Sequence, residues 1–122
     1  MATAHPEAQW FPDARLGLFL HWGPYALRGI EASWPLQPHS SQHLSDTEYE
    51  SLAQEFHPER YDPNEWARLA KEAGARYAVL TAKHHDGYCL FDTRTTEYCA
   101  PKTGPGRDLV APYVESDELR AH

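Results

Sequence analysis

Two groups of imidazoles follow two apolar runs. His21 closes the run "ARLGLFL" (residues 14–20) and opens "HWG"; His84 and His85 follow "RYAVL" inside "TAKHHDGY" (residues 81–88). Residues of this kind could do one of three things. Joined by Asp86, the imidazoles could ligate zinc or iron. They could act as acids and bases. As neutral rings, each with one donor and one acceptor nitrogen, they could hydrogen-bond the hydroxyls of a polar ligand.

Spacing separates these options. Adjacent residues on a strand point to opposite faces, so His84 and His85 reach one ion only if the strand has already bent. Neither an H-x-H pair nor an H-E-x-x-H motif is present. Cys89 and Cys99 lie near histidines in sequence, but nothing marks either as a nucleophile, and no serine sits in a G-x-S-x-G elbow. Sugar recognition fits better. A sugar presents hydroxyls and an apolar ring face, and eight His, four Trp and seven Tyr in 122 residues meet both needs.

The elements that must position these residues follow from pattern. Residues 14–20 and "RYAVLTA" (76–82) are near-continuous apolar runs, which predicts two strands buried on both faces, as in a parallel sheet. Residues 23–44 carry Pro24, Gly29, Pro35 and Pro38 and read as a long irregular loop. Ser45 and Glu48 form a capping box, after which Tyr49, Leu52, Ala53 and Phe56 fall at helical spacing. Asp62, Pro63 and Glu65 open a second helix with a stripe of Trp66, Leu69, Ala70 and Ala73, and Gly74 closes it. After an irregular stretch from Tyr88 to Gly106, "RDLVAPYVESDELR" begins a third helical pattern on Leu109, Val110, Tyr113 and Val114, with Pro112 in its first turn. The order is βαβα, an α/β class with two parallel strands. In such folds working groups gather at the carboxyl ends of the strands, where His21, Trp22, His84 and His85 all stand.

Several residues have plain structural duties. Trp66 packs on its helix stripe. Ser45, Glu48, Asp62 and Glu65 are caps, and His39, His43 and His57 lie in polar loop segments facing solvent. Asp13 and Asp92 are turn residues.

Composition bounds the rest. A net charge of −7 argues against nucleic acid and anionic membranes as partners. No stretch has the roughly 20 apolar residues a membrane span needs. "MATAHPEAQW" has neither the basic flank nor the apolar core of a secretory signal, so a cytoplasmic setting with Cys89 and Cys99 reduced is expected.

The residues also carry a family resemblance. "WFPDARLGLFLHWGPYAL", the tryptophan of "EASWPL", "YDPNEWARLAKEAGARYAVLTAKHHDGYCLFDT" and "GPGRDLV" together resemble the N-terminal part of the α-L-fucosidases of glycoside hydrolase family 29. The likeness runs from about residue 10 to 114. It implies that residues 1–122 are a partial catalytic domain, the N-terminal portion of a (β/α)8 barrel that removes terminal L-fucose from glycoconjugates with retention of configuration. It implies that His21, His84 and His85 bind fucose hydroxyls and that Trp34 forms part of the pocket wall. Members often have Glu directly before that tryptophan; here Ser33 occupies the position, with Glu31 three residues before Trp34. No metal or other cofactor is implied.

The resemblance also implies an incomplete site. A retaining glycosidase needs two carboxylates about 5–5.5 Å apart, and in the family both lie on later strands. No catalytic residue is therefore expected in this chain. Asp86, beside the histidines, matches a structural position. The alternatives are a fucose-binding fragment without hydrolysis and a metal hydrolase built on His21, His84 and His85. Two strands with uncovered edges and apolar faces further predict a marginally stable chain that self-associates.

Overall fold

A computed structural model describes residues 2–116. In chain order it contains helix α1 (Trp10–Ala14), strand β1 (Gly17–Leu20), helix α2 (Asp46–Glu55), helix α3 (Pro63–Glu72), strand β2 (Tyr77–Leu80) and helix α4 (Val110–Val114), with short 3-10 turns at Pro6–Ala8, Pro24–Arg28, Trp34–Leu36 and Ala100–Lys102.

The cap signals fold as expected. Ser45 Oγ accepts the Glu48 amide at 3.2 Å, the N-cap bond of α2, and donates to Glu48 Oε1 at 3.2 Å, so Glu48 meets the cap through its hydroxyl. Asp62 Oδ1 accepts the Asn64 and Glu65 amides at 3.1 and 3.3 Å, and Pro63 occupies the first turn of α3. Gly74, at φ 93°, follows α3 in the left-handed region. Asp108 supplies a start signal that the sequence reading did not use. Its Oδ1 accepts the Val110 and Ala111 amides at 2.8 and 2.9 Å, and its Oδ2 accepts the Asp92 amide at 2.9 Å. Burial pushes the Asp108 carboxyl up, but the three amide donors outweigh it and hold the group below its ordinary value.

β1 and β2 pair in parallel, with Gly17 opposite Tyr77, Leu18 opposite Ala78, Phe19 opposite Val79 and Leu20 opposite Leu80. The Arg76 amide donates to Leu16 O at one end, and the Thr81 amide and hydroxyl both donate to Leu20 O at the other. Both strands thus stop at the same level, just before His21 and just before Thr81.

Two expectations fail here. The apolar run does not start the strand at residue 14: residues 10–14 are helical and Arg15 takes φ 66°. Nor are the strands buried on both faces. Phe19 is 63% and Val79 45% exposed. They are register partners, and in a parallel pair such residues share a face. On the other face Leu80 packs against the main core of Ala53, Phe56, Tyr88, Leu90, Ala100 and Leu109. An unbroken apolar run cannot reveal which of its faces the described residues will cover.

The α2 stripe is as read, with Tyr49, Leu52, Ala53 and Phe56 all buried. In α3 the inward positions shift: Ala67 is buried, Trp66 joins an aromatic cluster with Trp22 and Tyr61, and Leu69 is half exposed. Ala73 is exposed. The third helical pattern is helical over Val110–Val114; residues 117–122 lie outside the described residues. Among the described residues no helix is long and apolar enough to cross a membrane.

Candidate functional site

The sharpest local feature is the turn that carries the paired histidines. β2 ends at Leu80, and the Gly87 amide donates to His84 O at 3.0 Å, which closes a tight turn over His84–Gly87. Gly87 takes φ 82°, a conformation that suits a residue without Cβ. The strand has therefore bent before the histidines, so His84 and His85 escape the alternation of a strand and their ring centroids lie 5.0 Å apart. No atom stands within 4 Å of a Cβ built on Gly87, so a side chain there meets strain but no clash. Gly87→Ala is expected to cost about 1–2 kcal/mol through backbone strain alone; urea denaturation of the variant checks this, and a change under a few tenths would deny that the turn depends on glycine.

His21 arrives from the neighbouring strand end. Its ring centroid is 4.7 Å from Phe19 and 5.3 Å from His84, with the His21 and His84 planes inclined at 69°. The three imidazoles form a row, His21–His84–His85, with His21 and His85 exposed and His84 half-buried. Trp22, one residue on, turns the other way. Its ring lies 4.6 Å from Tyr61, 5.1 Å from Trp66 and 5.3 Å from Phe56. These four aromatics border an open depression of about 610 Å³ that is lined by His57 but by none of His21, His84 and His85.

His84 is the anchored member of the row. Its Nδ1 lies 2.5 Å from Ser33 Oγ, and the Asp86 amide donates to the same Oγ at 2.9 Å. Tyr49, buried in α2, directs its hydroxyl at Asp86 Oδ2 at 2.8 Å and at Ala32 O at 3.0 Å. Asp86 Oδ1 accepts the Tyr88 amide at 3.0 Å. Burial, and then the hydrogen bond to Asp86, pushes the Tyr49 hydroxyl far above the ordinary phenol range. Burial holds His84 below the ordinary imidazole value; Asp86 opposes this, while His21 and His85 reinforce it. His84 is thus a neutral ring at pH 7, able to give or take a hydrogen bond at each nitrogen but not both at one.

Of the residues picked from sequence, His21, His84 and His85 come together. Trp34 is 60% exposed at the start of a 3-10 turn and directly follows Ser33, whose Oγ meets His84 Nδ1. His43 is not simply solvated: its Nδ1 lies 2.9 Å from Pro35 O and 3.1 Å from Gln37 O, which ties the loop behind Trp34. Ser33, Tyr49 and Asp86 were missed as a unit. Asp86 lies 53 residues from Ser33 and 37 from Tyr49, and Ser33 lies 51 from His84, which leaves no local pattern; the only hint was a polar hydroxyl on the first stripe position of α2. Cys89 and Cys99 are free, buried thiols, and burial pushes the Cys89 thiol above its ordinary value. Among the described residues no three His, Cys, Asp or Glu side chains converge as a metal-holding group.

A family model described as alpha-L-fucosidase matches residues 2–120. The chain belongs to the α-L-fucosidase family. Among curated members, the tissue α-L-fucosidase of Rattus norvegicus is 32% identical over 120 residues, covering 88% of this chain and 26% of the relative. A protein of Caenorhabditis elegans named putative α-L-fucosidase is 31% identical over 119 residues, 86% of this chain and 25% of its own length. Among solved structures, α-L-fucosidase isoenzyme 1 from Paenibacillus thiaminolyticus superposes with a TM-score of 0.82 at 43% identity, over 95% of this chain and 26% of that one. The Thermotoga maritima α-fucosidase in complex with fucose superposes with a TM-score of 0.74 at 36% identity, over 92% and 31%. The chain therefore spans about a quarter of the length of the curated relatives it matches.

Proposed function

We propose that the chain supplies the L-fucose-binding wall of an α-L-fucosidase catalytic domain. The observation that carries this reading is the row of His21, His84 and His85 at the carboxyl ends of two parallel strands, in a chain similar to a fucosidase solved with fucose. In this reading the three imidazoles exchange hydrogen bonds with ring hydroxyls, and Trp34 gives an apolar face to the sugar. The two strands are the first of a (β/α)8 barrel. Phe19 and Val79, on the open face that also bears His21, are then barrel-interior positions, and their exposure favours self-association of the chain on its own.

In this reading the chain recognises the sugar and other segments break the bond. A retaining mechanism needs a nucleophile and an acid/base about 5–5.5 Å apart. Asp86, the carboxyl closest in sequence to the row, is occupied by the Tyr49 hydroxyl and the Tyr88 amide. L-Fucose titrated into the chain by calorimetry is expected to bind saturably, on the order of 1 mM, with no change on adding a chelator. An aryl α-L-fucoside is expected to stay intact. Binding that vanishes with chelation would replace this reading by the metal-hydrolase one, and turnover of the fucoside would show that the carboxylates are already present.

A further inference from the structure

We propose that Ser33 is a positioning residue: its hydroxyl donates to His84 Nδ1, fixing the imidazole as the tautomer that offers Nε2–H to a ligand hydroxyl. This rests on the sugar-site reading above for its ligand, though not for its proton.

Ser33 is 6% exposed and makes no capping bond to the turn it precedes. A buried hydroxyl needs partners on both sides of its oxygen. Its acceptor side is met by the Asp86 amide at 2.9 Å. Its single proton is left for His84 Nδ1, 2.5 Å away. Tyr49 then gives its own proton to Asp86 Oδ2 at 2.8 Å, and Asp86 returns to Ser33 through its amide. The hydrogen bonds thus run as one chain, from Tyr49 to Asp86 to Ser33 to His84. With Nδ1 as acceptor, a neutral ring carries its proton on Nε2, and Nε2 has no partner among the described residues. Backbone geometry adds a second observation. Ala32, just before Ser33, is held at φ 48°, a strained conformation for a residue with Cβ, and its carbonyl oxygen lies 3.0 Å from the Tyr49 hydroxyl. The fold bears that strain at the residue that delivers Ser33 to His84.

The test is long-range proton–nitrogen correlation of the imidazoles in the ¹⁵N-labelled full chain at pH 7.5, first without sugar, with His84 assigned by its loss in His84→Gln. Wild type is expected to show His84 solely as the Nε2–H tautomer. Ser33→Ala is expected to mix the two tautomers and weaken L-fucose binding roughly fivefold, the worth of one hydrogen bond; Ser33→Thr, which keeps the hydroxyl, is expected to restore both. Tyr49→Phe leaves the Ser33 hydroxyl in place and is expected to leave the tautomer unchanged. An Nδ1–H tautomer in wild type, or a Ser33→Ala spectrum identical to wild type, overturns the proposal. The wild-type spectrum decides even if Ser33→Ala does not fold. Absence of fucose binding in wild type would sink the sugar-site reading, while the sugar-free spectrum judges Ser33 separately.

Discussion

Asp86→Ala is expected to destabilise the chain by about 2–4 kcal/mol and to remove measurable L-fucose binding. Three hydrogen bonds meet at this residue. Its carboxyl accepts the Tyr49 hydroxyl and the Tyr88 amide, and its amide donates to Ser33. The substitution keeps the amide and deletes both acceptors. Tyr49 is 1% exposed, so its hydroxyl cannot turn to water and falls back on Ala32 O alone. Tyr88, also buried, loses the acceptor of its amide within the turn. Losing acceptors in a buried place costs more than the net worth of the bonds, since the donors stay desolvated. The turn that aims His84 and His85 then loses the brace that Tyr49 supplies from α2. Asp86→Asn, which can still accept through its amide oxygen, is expected to cost less, about 1–2 kcal/mol. Urea denaturation orders the two variants; equal losses would mean that the carboxyl braces nothing.

The second large effect lies in the core. Leu109 is fully buried against Phe56, Leu90 and Ala100, its amide donates to Leu90 O at 2.8 Å, and its carbonyl accepts the Tyr61 hydroxyl at 2.7 Å. It joins the start of α4 to the segment after the histidine turn. Leu109→Ala leaves a cavity in a packed cluster and is expected to cost about 3 kcal/mol. Val114→Ala, four residues after the start of α4 but 60% exposed, is expected to change stability by less than about 0.5 kcal/mol. The pair of urea midpoints checks this contrast, and similar shifts would place Leu109 outside the core. Against a typical total of about 5–15 kcal/mol, a loss of this size would leave a chain with an already open sheet face close to unfolding.

Much of this was legible because the deciding physics is local. Ser45 accepts the amide of Glu48, and Asp62 those of Asn64 and Glu65, within one turn, so both helix starts could be read from four residues each. The parallel pairing followed from two apolar runs separated by helices, and with it the meeting of His21 and His84. Two other features were not legible. Phe19 looks like a buried strand residue by composition, yet its exposure depends on what covers that face, which no local pattern encodes. Ser33 stood out in sequence only as a replacement for the Glu that members often have before Trp34, whereas its hydroxyl meets a histidine 51 residues away. The paired histidines fall between these cases. Their spacing argued against a shared ligand on a strand, and the conflict vanished only because Gly87 closes a turn there.

The central claim is that the imidazole row binds L-fucose. Its most direct test is an L-fucose titration of the chain followed by imidazole NMR, with His21→Ala and His84→Ala alongside. The account predicts that the His21, His84 and His85 signals move together along one saturable isotherm, that His57 stays still, and that each substitution weakens binding at least about tenfold, the equivalent of about 1.4 kcal/mol. Saturable binding that leaves those three signals unmoved, or that survives both substitutions, would contradict it.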